Sequence, residues 1–157
     1  MCKFFKILAV MLMVLTSACS QEKTPTGQEV IVVSEDGNTI RCTFNVEIAD
    51  TQEKIYHGLM GRTSIDENYG MLFDISIAPK DSDIAFWMKD TLIPLDMIFI
   101  DDNGAIYFIY QNAQPNDVTP IYTTKRPRAV LEVNAGQVEQ FGIKIGDIVK
   151  TEILGNK

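Results

Sequence analysis

The segment EVIVVSEDGNTIRCTFNVEIA, Glu29–Ala49, decides the fold class. Two runs rich in β-branched residues, Glu29–Ser34 and Ile40–Ala49, flank Glu35-Asp36-Gly37-Asn38. Asp-Gly between such runs is a strong signal for a tight turn joining antiparallel strands. The domain is therefore expected to open with a β-hairpin.

The chain after the hairpin continues in short pieces. Asp50 followed three residues later by Glu53 is a capping-box pattern, and Ile55, Leu59 and Met60 then share a face at helical spacing. This predicts a helix over 51–60, ended by Gly61 in the left-handed conformation. Beyond a loop at Asp66–Gly70, strands are predicted at Met71–Ile75 and Ile84–Met88. A second hairpin joins Leu95–Ile100 to Ala105–Tyr110 through Asp101-Asp102-Asn103-Gly104. Gln111–Arg128 holds Pro115, Pro120 and Pro127 without periodicity and reads as a long connecting loop. A strand at Ala129–Val133, a helical turn near Val138–Phe141 and a last strand at Ile148–Leu154 complete the pattern. The prediction is a single compact α+β domain, mainly β, of about seven or eight short strands forming a partly closed barrel-like sheet with one or two short helices.

Upstream of the hairpin the chain begins MCKFFKILAVMLMVLTSA, with Lys3 and Lys6 ahead of an apolar stretch from Ile7 to Leu15 and small residues at its end. That is an export signal, too short to span a bilayer as a mature helix. Cys19 follows the small residues directly, which marks residues 1–18 as a lipoprotein signal peptide and Cys19 as the lipidation site. Acyl chains on Cys19, at about 0.8 kcal/mol per buried methylene, would hold the protein on a bacterial membrane of the cell envelope. Residues 19–28 then form the lipidated cysteine and a polar tether, and residues 29–157 the single domain.

The chain carries a formal net charge of −7, and loss of Lys3 and Lys6 with the leader makes it more acidic still. Such a surface repels phosphate backbones, so no nucleic-acid partner is expected. The expected partners are the membrane, through Cys19, and an envelope ligand or protein. Of the three cysteines, Cys2 and Cys19 belong to the leader and the lipid site, which leaves Cys42 alone in the domain. It lies in an alternating strand, so it is predicted to be a buried, inert thiol.

The run from Gly58 to Asp102 concentrates Met, Trp, Phe, Gly and Pro and is where a site is expected, although it supplies no nucleophile with its base. Strand spacing favours core packing for Trp87, Met60, Met71 and Phe73. Asp96, flanked by Leu95 and Met97, needs a partner if it faces inward, and Arg62 is the candidate for a structural ion pair with Asp96 or Glu132.

The spaced motifs Gly58-Leu59-Met60, Arg62, Gly70-Met71-Leu72-Phe73, Phe86-Trp87-Met88, Thr91, Ile93-Pro94-Leu95-Asp96 and Phe99 are followed by Leu131-Glu132, Ala135-Gly136 and Gly146-Asp147. Over roughly Val46 to Val149 this set resembles the domain of unknown function 192 family. The resemblance implies a compact, mostly β domain, often behind a signal or lipoprotein leader, with no established activity. Asp90 stands where Asn is usual and Gly61 where an apolar residue is usual. The added charge at Asp90 argues against an anion site.

Three functions follow from these residues. The first is a non-enzymatic, membrane-tethered binding or accessory module with a pocket of Arg62, Trp87, Met88, Thr91, Asp96 and Glu132. The second is a Cu(I) site using the soft ligands His57, Met60 and Met88. The third is a hydrolase with Asp96 and Glu132 as its carboxylate pair, which requires them to face one cleft. No cofactor is expected.

Overall fold

In the computed structural model, which describes residues 27–156, the chain enters its sheet at Gln28. The leader, Cys19 and most of the tether lie outside the described residues. Strand β1 (Gln28–Val33) turns through Gly37, whose φ of 73° a side chain would disfavour, into β2 (Ile40–Ala49). Helix α1 (Gln52–His57) follows, then β3 (Tyr69–Asp74), β4 (Leu95–Ile100), β5 (Ile106–Ala113) and β6 (Ala129–Asn134). Helix α2 (Gln137–Gln140) and β7 (Ile148–Lys150) close the chain. Both expected hairpins, β1–β2 and β4–β5, are present.

All seven strands join one mixed sheet in the order β5-β4-β6-β3-β2-β1-β7, with β2 and β3 parallel and the other pairs antiparallel. The sheet curls until its edges touch. The Ile106 N–H donates to the Asp147 carbonyl at 2.9 Å, and the Val149 N–H to the Gly104 carbonyl at 2.8 Å. The result is the expected partly closed barrel, mainly β, with two short helices.

Two apolar clusters lie on opposite faces of this sheet. Val32, Phe44, Leu72, Ile98, Leu131 and Val149 point into the barrel, where Val138 and Ile143 cover them. Met71, Phe73, Met97, Phe99 and Val130 point outward and are covered by Leu59, Ile75, Phe86 and Met88 from the irregular segments. Strands β3, β4 and β6 therefore carry near-continuous apolar runs, whereas β1 and β2 alternate, because only the former are buried on both sides.

Five local expectations are corrected. Residues 84–88 form no strand: Phe86 makes a single bridge to Ile121, because this segment covers the outer face instead of extending the sheet. Helix α1 is capped by the Thr51 hydroxyl, which accepts from the Lys54 N–H, while Asp50 pairs with the Lys54 ammonium. The helix stops at His57, where Gly58 with φ 49° takes the role expected of Gly61. Strand β5 runs on to Ala113, shortening the loop, and the last strand ends at Lys150, followed by a 3-10 turn at Glu152–Leu154.

Candidate ligand pocket around Glu132

On the outward face of the sheet, Glu132 of β6 stands opposite Met71 of β3 and Met97 of β4. Gly70 lets the two strands approach here: a Cβ at that position would collide with the Glu132 carbonyl oxygen. Above Glu132 the sheet is left partly uncovered between the end of α1 and the segment 83–91. The gap is a pocket of about 270 Å³. Phe73 and Phe86 form its inner wall, Tyr56 and Trp87 its rim, and Glu132 and Asp83 are its acidic groups. Phe73 and Phe86 are held edge to face, with ring centroids 5.2 Å apart.

Glu132 is 5% exposed, and among the described residues its carboxyl group has no hydrogen-bond or ion-pair partner. Burial alone, with no charge or donor to oppose it, pushes the group up to about 8. Bringing a carboxylate out of water without a partner costs several kcal/mol, so these surroundings favour the protonated acid at neutral pH.

The structure brings together some of the residues singled out in the sequence and separates others. Trp87, Thr91 and Glu132 all line the pocket, and His57 from the end of α1 and Met60 from the turn after it join them. Trp87 is 40% exposed and so lies outside the core expected for it: Phe86 and Met88 on either side point inward, which turns the indole to the rim. Met60 is half-buried at the pocket, whereas Met71 and Phe73 are core residues as expected.

Met88 is absent from the pocket lining and is packed in the outer cluster, so the expected set of His57, Met60 and Met88 is split. Among the described residues no three His, Cys, Asp or Glu side chains are placed to hold a metal ion. Asp96 faces the barrel interior, fully buried, and accepts from the N–H groups of Asn112, Gly136 and Val138 at 2.9, 2.9 and 3.0 Å. It braces the start of α2 against β5.

Asp96 stands opposite Val133, and Glu132 opposite Met97, so the two carboxylates point to opposite faces of the sheet. They cannot share a cleft, and the paired-carboxylate hydrolase is ruled out on that geometry. The expected ion pair of Arg62 with Asp96 or Glu132 is also corrected. Arg62 pairs with Glu47 at 2.5 Å beside an adjoining depression, and Tyr69 donates to the same carboxylate at 2.7 Å.

Sequence reasoning missed Tyr56, Phe73, Phe86 and Asp83 as pocket residues. The available signal was the order Phe86-Trp87-Met88, in which an outward ring between two inward side chains marks an extended segment lying over a second core. It also missed the pairing of the buried Asp147 with Arg41, at 2.9 and 3.2 Å, and the part-buried pairing of Asp74 with Arg128 at 2.5 Å. Cys42 is buried as expected, its thiol pushed up to about 12 by burial and then by the nearby Asp147 charge.

Residues 31–151 match the family described as Uncharacterized ACR, domain of unknown function 192. The chain belongs to that family. A crystal structure from Sinorhizobium meliloti 1021, provisionally described as a transcription regulator, shares 33% identity over 80% of this chain and 94% of its own, with a TM-score of 0.72. Another, of a protein of unknown function from Novosphingobium aromaticivorans DSM 12444, shares 36% identity over 78% and 83% of the two chains, with a TM-score of 0.69. No curated protein matches the chain. Membership of the domain of unknown function 192 family accounts for the barrel and brings no established activity with it.

Proposed function

We propose that this protein is a non-enzymatic, lipid-anchored envelope module that holds a small ligand in the pocket over Glu132. Trp87 and Thr91 contact the ligand, and Glu132 fixes its polar end. The observation that carries this reading is the buried, unpartnered carboxyl group at the base of an aromatic pocket. A native fold tolerates such a group chiefly where something else completes it, since structural carboxylates such as Asp96 and Asp147 are fully bonded. Buried aromatic walls with one placed polar group are the ordinary composition of small-molecule sites. Among the described residues no base or nucleophile is hydrogen-bonded to Glu132, which favours binding over turnover.

The anchoring half of the proposal rests on the leader and Cys19. Mass spectrometry of the membrane-extracted protein should find Cys19 as an acylated N-terminus; an unmodified Cys19 in the mature chain overturns it.

Trp87 is the only tryptophan, so its fluorescence reports on the pocket in the full chain. Acrylamide should quench it readily, and a panel of envelope sugars, peptides and amines should give a saturable response to one class. An indole that responds to no member of the panel overturns the binding module.

A further inference from the structure

Among the described residues the buried carboxylates are Asp96, Glu132 and Asp147, and only Glu132 lacks a partner. Its pocket contains a second acid, Asp83, and no Lys or Arg. The remaining ionisable groups facing it are Tyr56 and His57 on α1; β3 and β4 present only Met71, Phe73, Met97 and Phe99 on that face. Farther along the same sheet face, Glu47 and Arg62 neutralise each other. An anion would meet two acids and no cation. The faces of aromatic rings attract positive charge, most strongly where water is excluded.

We propose that the Glu132 pocket takes a compact organic cation, an ammonium group on a small apolar body, with the Glu132 carboxylate as its counter-ion and the Trp87 and Tyr56 rings against it. This rests on the pocket being a ligand site and names the class of ligand. The volume of about 270 Å³ fits a small molecule and not a polymer. The exchange balances simply: the empty pocket holds a neutral carboxylic acid, the cation enters, and the carboxyl proton leaves to solvent while the carboxylate stays against the ammonium. A neutral sugar or alcohol would hydrogen-bond the acid and displace no proton.

The test uses the full chain in detergent micelles, with choline as the cation and 3,3-dimethyl-1-butanol as its uncharged carbon isostere. Binding is followed by Trp87 fluorescence and by calorimetry in two buffers of different ionisation enthalpy. Choline should bind about tenfold or more tighter than the isostere and release close to one proton at pH 7. Glu132→Gln should lower choline affinity by about tenfold or more and abolish the release, while still admitting the isostere. The preference of the unmodified protein for choline over its isostere carries the test without any variant. Isostere binding as tight as choline, or choline affinity unchanged by Glu132→Gln, overturns the cation class and leaves the pocket standing. Silence of Trp87 toward both probes overturns both.

Discussion

Glu47 and Glu132 stand in one cross-strand row on either side of Met71, and only Glu47 is paired. Two strand spacings, about 10 Å, separate their backbones. Glu47 meets Arg62 and Tyr69; burial first, and then the bond to Glu47, pushes the Tyr69 phenol up to about 12. Glu132 meets apolar side chains and a pocket. The same residue type is thus a surface tie at one end of the row and an uncompleted group in the middle of it.

Stability should fall with rising pH because of Glu132. The unfolded carboxyl ionises near 4.5, while the folded group holds its proton up to about 8. Between those values the unfolded state binds fewer protons, so each unit of pH favours unfolding, and below about 4.5 the effect vanishes. Glu132→Gln should remove this slope and stabilise the protein at pH 8 by a few kcal/mol while changing little at pH 4. Urea unfolding at the two pH values decides it, and equal gains at both would show that the carboxyl is not the cause.

Asp96→Ala should destabilise by about 3–4 kcal/mol, since it strands three buried N–H groups at the start of α2 and the end of β5. Asp96→Asn should recover only part of the loss, because an amide has one acceptor atom for three donors. A loss of less than about 1 kcal/mol in denaturant titration would contradict the bracing role.

Gly70→Ala should force β3 away from β6 at the Glu132 carbonyl oxygen. The backbone there cannot yield as a flexible side chain would, so a cost of about 2–4 kcal/mol is expected together with a changed Trp87 emission maximum. Gly61→Ala is the contrast: no atom lies near the added methyl group, and its cost should come only from φ of 75°.

Arg62→Ala should cost less than about 1 kcal/mol, because its pair with Glu47 is substantially exposed. A loss as large as that of Asp96→Ala would mean that the pair is buried after all.

Cys42 should resist alkylation at pH 8 in the native protein and react fully in denaturant, given burial and a thiol near 12. Peptide mapping with iodoacetamide distinguishes it from Cys19, and rapid native labelling would contradict the packing.

The barrel was readable where backbone signals were local. Asp36-Gly37 and Asp101 to Gly104 marked both hairpins, and the apolar run Leu95–Ile100 marked the central strand. The cover over the outer face was not readable. Residues 84–88 have strand-like alternation, but that pattern reports only that alternate side chains are buried, and here Phe86 and Met88 are buried by packing onto a sheet. The site was half readable for the same reason. Trp87, Thr91 and Glu132 meet, while Asp96 was misjudged because one residue of strand register turns a side chain to the opposite face.

The sheet that separates the two apolar clusters also separates two kinds of closure. Every strand contributes to the inner cluster, whereas the lid over the outer one is irregular chain pinned by a few bonds, such as Met88 N–H to Asp117 carbonyl at 2.8 Å. On the proposed ligand-binding reading, exchange needs only a local opening of this cover and leaves the barrel behind the sheet intact. The sheet is thus a shared wall between a core closed by regular strands and a core closed by irregular chain.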